Sequence, residues 1–451
     1  RMPGRPVAMP PFPPPAGRAI RSVASPPVLL LRSFLIHVLQ PLRHKNYALF
    51  GSSDFIASIG QLVREIALYW LAYEITGSAM ALGILALCEA TPRLVLSVLG
   101  GVIVDRYDRL RLLTVIQFLC AVPVFAMVVL YFLGVLRFWH IAVLETLLSI
   151  IRSMNPTASQ SLLQDLVPQD ELMNTVALYS LGFNFARIVG PSLGGVLVLW
   201  IGVGGCLIFY GVALLISGFE LLPIRLSVET KIRPSSNWVH EIREGLDFIR
   251  SSPLVLASTL AAYALSAFVG TYQRFLPIFA KDILKTGPAG LGALTAASGI
   301  GAVLSLVFLD AVGRRWRRET LLWFSSKVTP LLLVLFCLSR SLWFSVVLMG
   351  LLGAAQILFR TVSRLIIQVE APRELIGRVM SVFLMDQGMR SIGSIIMGAF
   401  ATIFGAALGL SLCSVVSIGF TTLTFYRLIG WPNWLDLKIV NEPGSDRQQT
   451  L

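Results

Sequence analysis

The sequence is poor in charged residues. Only 14% of its 451 residues are Asp, Glu, Lys or Arg, whereas 55% are hydrophobic. A water-soluble protein of this length needs far more polar residues to cover its surface. Apolar segments of about twenty residues recur from Leu49 to Leu428, the length needed to cross a hydrocarbon core about 30 Å thick. The composition therefore argues against a soluble protein and predicts an all-α integral membrane protein.

Residues that build catalytic and metal centres are also scarce. The five cysteines lie in or at the ends of apolar segments without CxxC spacing, and the four histidines are scattered over polar segments and interfaces. The sequence contains no HExxH, no GxSxG and no phosphate-binding loop of the GxxxxGK[ST] type. We therefore expect no enzyme, no metal and no cofactor, and any work must draw on an ion gradient or on the substrate's own gradient.

Basic residues are distributed unevenly between the two sides of the predicted membrane domain. We predict twelve spans, at 49–74, 80–103, 113–133, 141–165, 172–199, 206–224, 254–280, 288–309, 320–338, 344–367, 376–404 and 408–428. The segments on one side hold 24 Lys and Arg, and those on the other hold 4. This asymmetry predicts that both termini are cytoplasmic in a multi-pass protein of the plasma membrane, the inner membrane of a bacterium. The net charge of +13 is then explained by topology and by contact with lipid, and nucleic acid is not an expected partner.

The two halves of the chain repeat one another. From Glu171 onward an offset of 203 residues aligns Arg187 with Arg390 and Gly195 with Gly398. Such an echo indicates duplication of a six-span unit, as in one large class of secondary transporters. The predicted regions are a cytoplasmic N-terminal segment, an N-terminal bundle, a linker with an amphipathic helix, a C-terminal bundle and a cytoplasmic tail, at 1–47, 48–226, 227–252, 253–430 and 431–451.

The stretch "GGVIVDRYDRLRLLTV" (100–115) interrupts the apolar sequence with a charged turn between spans 2 and 3. Gly101, Asp105, Arg106 and Arg109 fit a motif of the major facilitator superfamily, and the form "DRYDRLRLL" resembles the exporter branch that includes the enterobactin exporter and macrolide-efflux proteins. The sequence departs from the motif at Asp108, where a glycine is usual. The resemblance covers residues 40–430 and implies a twelve-helix transporter fold in two bundles.

The same resemblance implies a gating role for the charged turn. Arg109 is expected to pair with Asp165 at the end of span 4, while Asp105 faces the positive end of a helix dipole near Leu375. These contacts together are worth about 1–3 kcal/mol in partly buried geometry. The alternative is that the three arginines of the turn only anchor a loop at the membrane surface.

"GPSLGG" in span 5 resembles the exporter motif of the superfamily. The matching residues are Gly190, Pro191, Gly194 and Gly195. Within a bundle, neighbouring helices satisfy the backbone groups freed by proline, and small residues allow close helix contact. The alternative to an export role is ordinary close packing.

Several ionisable residues fall inside the predicted spans, where each needs a partner or a water-filled cavity. The spacing of Glu89 and Arg93, and of Asp386 and Arg390, favours pairing along one helix face. Arg360, Arg364, Glu220 and Arg274 lie towards span ends, and for these we expect the charged group to reach the interface. The candidates for substrate binding or proton coupling are Glu65, Glu89, Arg93, Arg152, Arg187, Asp386 and Arg390.

Two of these groups suggest roles. Glu89 suits proton coupling, because a carboxylate that loses a cationic neighbour and its water holds a proton more readily; the alternative is a permanent ion pair with Arg93. Arg152 resembles the arginine of the superfamily's fourth-span motif, which is linked to proton coupling. Arg187 and Arg390, related by the repeat, would favour an anionic substrate if both face the central cavity.

The sequence thus predicts a monomeric secondary transporter that exports a small amphipathic molecule, drug-like or siderophore-like, by proton antiport. A dedicated metabolite or lipid-like cargo, or uptake, is the first alternative. A membrane sensor or scaffold without transport is the second.

Overall fold

The structure is a computed structural model that describes residues 40–104, 108–168, 171–225, 238–313, 317–372 and 375–430. Every regular element within these ranges is a helix. Asp105 and Arg106 lie outside the described residues, as do the two terminal tails, and the side chain of Arg93 is not described either.

The first half of the chain supplies spans 1 to 6. Their helices are Lys45–Thr76, Ala79–Val104, Arg109–Phe132, Phe138–Arg152 with Asn155–Leu166 as span 4, and Leu172–Leu221, which holds spans 5 and 6. The backbone leaves helical geometry at Gly202 (φ 69°, ψ 177°), which separates span 5 from span 6. Glycine adopts this positive φ without the steric cost that a side chain brings.

The linker helix and the second half follow. The linker helix is Trp238–Ser251, and span 7 begins as Pro253–Phe268 and continues through short turns to Ile283. Spans 8 to 12 are Gly287–Gly313, Arg318–Leu338, Leu342–Glu370, Ile376–Leu384 with Asp386–Phe404 as span 11, and Ala406–Ile429.

Eight helical segments of the described chain are long and apolar enough to cross a membrane. Spans 4 and 11 are each divided into two shorter helices, and span 7 contains 3-10 and π turns. Each irregularity lies beside or includes a charged side chain, namely Arg152, Asp386 and Arg274. Helix irregularities of this kind are frequent at functional sites. The helical content and element order agree with the expected twelve-helix fold in two six-helix bundles.

The two bundles meet along span 2 with span 11 and along span 5 with span 8. We call the side on which span 1 begins and the linker helix lies the linker side, and the opposite side the far side. A Cβ atom on Gly83 would lie 2.8 Å from Ser394 O, and one on Gly292 would lie 3.0 Å from the carbonyl carbon of Gly195. These four residues lie in the far-side halves of their spans, so the bundles touch closely there.

The linker-side half of span 5 is widely exposed. Met173, Val176, Leu181, Phe183 and Phe185 are all between 46% and 83% exposed. At 100° per residue they cover roughly 200° of the helix circumference, which is wider than a single lipid-facing stripe. The linker-side half of span 5 therefore borders open space between the bundles as well as lipid.

Candidate functional site

The charged turn after span 2 is joined to span 4 by the predicted ion pair. Arg109 Nη1 lies 2.6 Å from Asp165 Oδ2 and donates to Ser161 O at 3.4 Å. The two charged side chains are 16% and 23% exposed, so water screens the pair only in part. The predicted contact is present, and its gating role stays a prediction.

Asp108 explains one departure from the family motif. Its Oδ1 accepts hydrogen bonds from the backbone N–H groups of Leu110 at 2.9 Å and Arg111 at 3.1 Å, which makes it the N-cap of span 3. An N-cap of this type is worth about 1 kcal/mol. The aspartate therefore begins the helix where the motif usually has glycine.

Gly190 and Gly194 of the predicted exporter motif pack against span 1. A Cβ atom on Gly190 would lie 2.6 Å from Leu62 Cβ, and one on Gly194 would lie 3.1 Å from Val63 Cα. A side chain at Gly190 would clash with Leu62, and one at Gly194 would push spans 1 and 5 slightly apart, so these glycines allow the two spans to pack closely.

Gly195 faces the other bundle instead. Its Cα–H side contacts the backbone of Gly292 in span 8, where a Cβ atom would overlap that backbone. One helical turn away, Thr295 Oγ1 donates to Pro191 O at 3.3 Å. The predicted exporter motif therefore contacts span 8 of the other bundle as well as span 1 of its own bundle.

A fully buried ion pair and a buried arginine lie in the N-terminal bundle. Arg64 donates to both carboxylate oxygens of Glu145, with Nη2–Oε1 at 3.2 Å, and each side chain is 3% exposed. Arg152, the predicted coupling residue, donates to Tyr210 Oη at 2.7 Å and to Gln61 Oε1. The Arg64 guanidinium also lies 5.4 Å from the Tyr210 ring centroid.

Asp54 in span 1 was missed by the sequence analysis. Its carboxylate interacts with the Tyr179 hydroxyl of span 5 and is attracted electrostatically by Arg152. The available signal was an aspartate inside the apolar run "YALFGSSDFIASIG". Asp54 therefore joins Arg152 as a charged group inside this bundle.

Glu89 is bound across the interface between the bundles. Arg274 of span 7 lies 3.3 Å from Glu89 Oε2 and also donates to Ser394 Oγ at 2.9 Å. Tyr69 Oη donates to the same carboxylate at 3.4 Å, and its ring centroid lies 5.7 Å from the Arg274 guanidinium. The expectation that Arg274 reaches the interface was wrong, because a carboxylate of the other bundle holds it inside.

A second polar contact joins the bundles nearer the far side. Tyr73 Oη at the end of span 1 donates to Asp282 Oδ2 of span 7. Lys281 Nζ lies 5.6 Å from the Tyr73 ring centroid. The sequence analysis had no means of pairing these residues, because 209 positions separate Tyr73 from Asp282.

Asp386 in span 11 does not pair along its own helix. Its Oδ2 accepts from Arg360 Nη2 at 2.6 Å and from Ser266 Oγ at 2.9 Å, and the residue is 5% exposed. The predicted Asp386–Arg390 pair was therefore wrong, as was the expectation that Arg360 reaches the interface. Helical spacing permits such a pair, but the carboxylate is satisfied by neighbouring spans 7 and 10.

Arg390 is left with unsatisfied hydrogen-bonding capacity. Its Nε is buried and has no hydrogen-bond partner among the described residues. The side chain borders a cavity of about 20 Å³ together with Gln356 and Thr329. A cavity of this size has room for one water molecule.

Arg187 lies in the same charged group as Arg390. It is exposed, its guanidinium lies 5.8 Å from the Phe183 ring centroid, and it interacts electrostatically with Arg390. Its other charged neighbours are Arg360, Glu65, Arg364 and Asp386. The structure thus brings together the two repeat-related arginines and Glu65, all predicted as candidates.

The described residues contain no group of three His, Cys, Asp or Glu arranged to hold a metal ion.

Relatives of the chain are membrane transporters. It is 24% identical to the staphyloferrin A transporter of Staphylococcus aureus over 84% of this chain and 95% of the relative. It is 24% identical to the enterobactin exporter EntS of Shigella boydii over 68% of this chain and 70% of the relative.

The fold is also that of a solved transporter. A bacterial homologue of the human lysosomal transporter Spinster, crystallised in an inward-facing conformation, matches 86% of this chain and 99% of its own length. The TM-score is 0.65 at 14% sequence identity. Finally, residues 36–434 match the family model described as transmembrane secretion effector. The chain belongs to this family of major facilitator transporters.

Proposed function

We propose that this transporter exports a small amphipathic molecule by alternating access and draws its energy from proton antiport. The observation that carries the proposal is the cross-bundle contact between Glu89 and Arg274. It joins the bundles on the far side, while the linker-side half of span 5 is widely exposed. A transporter in this state receives cargo from the linker side.

Charge distribution supports placing the linker side in the cytoplasm. The segments that flank this side carry 24 Lys and Arg, against 4 on the far side. Cytoplasmic loops of membrane proteins carry such an excess. Cargo received there and released on the far side is exported.

The Glu89–Arg274 contact also supplies a route for proton coupling. Opening the far side separates spans 2 and 7 and withdraws the guanidinium from the carboxylate. A carboxylate in a site of low polarity takes up a proton more readily when a cationic neighbour moves away. We therefore assign proton uptake from the far side to Glu89, and return of Arg274 expels this proton towards the linker side.

Export from cells tests the proposal. The protein is expressed in a host without its major efflux pumps, and retention of a chemically diverse compound panel is measured with and without a proton uncoupler. We expect at least one compound class to be lost faster from expressing cells, and the uncoupler to abolish this difference. A Glu89→Gln variant should bind the same compound but lose the effect of the uncoupler.

The matched control for that variant is Glu74→Gln, which alters an exposed carboxylate on the same half of the chain. No difference in retention across the panel, with the protein folded in the membrane, would contradict broad efflux. Equal uncoupler sensitivity of the Glu89→Gln variant and the wild type would contradict the role of Glu89.

One observation favours a second candidate, a lipid-like cargo. Spans 8 and 10 enclose an apolar groove of about 540 Å³ at mid-membrane depth, lined by residues such as Ile300, Leu304 and Leu351. Ile300 and Leu351 are 58% and 52% exposed on the bundle surface. A hydrocarbon chain fits such a lining, and loss of fluorescent phospholipid from the inner leaflet of expressing vesicles would favour this candidate.

A further inference from the structure

Around Arg187 and Arg390, positively charged side chains outnumber negatively charged ones. The described residues there include five guanidinium groups and three carboxylates. These are Arg187, Arg274, Arg360, Arg364 and Arg390, with Glu65, Glu89 and Asp386. The set has an excess of two positive charges inside a membrane domain, where unbalanced charge is costly.

Two of the arginines are already bound by carboxylates. Arg274 pairs with Glu89, and Arg360 pairs with Asp386. Arg187, Arg364 and Arg390 form no ion pair within 4 Å in the described part of the chain. The excess charge is therefore carried by groups that remain available to a ligand.

These three arginines come from both bundles. Arg187 belongs to span 5, whereas Arg364 and Arg390 belong to spans 10 and 11, and Arg187 interacts electrostatically with both. Arg187 and Arg364 are exposed. Arg390 has a buried Nε with no hydrogen-bond partner among the described residues, beside a cavity with room for one water molecule. A water molecule or a ligand oxygen at this place would satisfy the Arg390 Nε donor.

The depth of Arg187 and Arg390 excludes a lipid headgroup as the acceptor for these two arginines. Arg187 lies roughly 20 Å along span 5 from its linker-side end, and Arg390 lies roughly 20 Å along span 11. A bilayer core is about 30 Å thick, so both positions lie in its central region. An anion that reaches them must enter the space between the bundles.

We propose that Arg187, Arg364 and Arg390 bind a cargo with at least two acidic groups, and that this binding permits the linker side to close. Without cargo, closure would bring the cations of span 5 towards those of spans 10 and 11, and their repulsion opposes it. A dianion neutralises the excess charge and removes that opposition. The inference rests on the proposed function, because it names the chemical class of the exported molecule.

Binding to the purified protein in lipid nanodiscs tests the charge preference. Carboxyfluorescein and rhodamine 6G share a xanthene ring system but carry opposite charge, so fluorescence anisotropy compares acidic and cationic probes of similar shape. We expect carboxyfluorescein to bind at least tenfold more tightly, and raised salt to weaken it. Equal binding, preference for rhodamine 6G, or binding of neither probe would overturn the inference.

Variants test whether probe binding depends on the proposed arginine site or on basic residues elsewhere on the protein. Arg187→Gln and Arg364→Gln should each weaken carboxyfluorescein binding about tenfold. Arg340→Gln, which removes an exposed charge in the loop after span 9, should leave it unchanged. Wild-type affinity in both site variants, with normal elution of the proteins from a sizing column, would overturn the assignment.

Closure is measured as a distance across the linker side. Spin labels at Met173→Cys in span 5 and Glu370→Cys in span 10, with the native cysteines replaced, report this distance by electron–electron resonance. Carboxyfluorescein should shift the wild type to shorter distances, whereas Arg187→Gln should already show them without ligand. Absence of both shifts would overturn the closure step.

These results are separable from the proposed function. Uncoupler-sensitive export of some compound together with indifference to probe charge would leave the exporter standing and remove the acidic-cargo inference. Tight carboxyfluorescein binding without export of any compound would support the acidic-ligand site and contradict the proposed export function.

Discussion

Glu89 and Asp386 show how single residues are used in this transporter. Each carboxylate is buried and bound by an arginine of another span, Arg274 and Arg360 respectively. The Glu89 contact crosses between bundles and must break when the far side opens, whereas the Asp386 contact lies within the C-terminal bundle. Only the first can therefore respond to the transport cycle by losing its partner.

The Arg64–Glu145 pair gives a prediction at this scale. Glu145→Leu would leave the Arg64 guanidinium buried without its carboxylate, and such a loss costs about 3–5 kcal/mol. We expect a large fall in the thermal unfolding temperature of the purified protein. The double variant Arg64→Leu with Glu145→Leu should recover most of it, because no unpaired charge remains.

A double variant as unstable as Glu145→Leu alone would contradict this account of the pair. Tyr210 would then be the more important partner, since its ring also contacts Arg64.

Residue positions were predicted better than residue partners. The sequence predicts most of the charges that lie inside the membrane, because an Arg, Asp or Glu interrupts an apolar run, although Asp54 was missed. The contact of Arg109 with Asp165 followed from a family motif. By contrast, Asp386 was assigned to Arg390 of its own helix. Pairing between spans depends on which helix faces are in contact, and one sequence does not record that.

At the scale of elements, two contacts between helices matter most. The turn before span 3 contacts span 4, and Gly195 of span 5 contacts span 8. Arg109 ties the start of span 3 to the end of span 4, and Asp108 caps span 3. Gly195 allows span 5 to approach span 8. The sequence predicted both motifs, but not that Gly195 contacts Gly292.

Arg109→Gln tests the first of these contacts. Losing the ion pair should slow turnover several-fold while cargo binding stays within about twofold, because the pair stabilises one access state rather than the site. Arg111→Gln is the matched control, since the Arg111 side chain is 88% exposed. Turnover is measured as the initial efflux rate from preloaded cells. Equal rates in the two variants would contradict a gating role.

Gly195→Val tests the second contact. The added side chain would overlap the backbone of Gly292 and hold the far side apart. We expect loss of transport and a longer spin-label distance across the far side. Gly419→Val, at a span 12 position where a Cβ atom meets nothing within 4 Å, should retain transport. Unchanged far-side distances in Gly195→Val would show that this contact does not limit closure.

At the scale of the whole molecule, the helical content and the repeat were predictable from composition and spacing, and the transporter family from the resemblance of two motifs to those of a known superfamily. Membrane spans are long apolar runs, and duplication leaves identical residues at a constant offset, such as Arg187 and Arg390. The conformation was not predictable. Whether the bundles meet on the far side depends on small differences between two packings of one sequence.

Transport into inside-out membrane vesicles tests the central claim most directly. In these vesicles the cytoplasmic side of the protein faces the medium, so an exporter concentrates its cargo inside. With an imposed gradient, acidic inside, we predict that at least one compound of the panel accumulates in wild-type vesicles, and that an uncoupler or Glu89→Gln abolishes this. Accumulation in right-side-out vesicles instead, or accumulation that is indifferent to the proton gradient, would contradict proton-driven export.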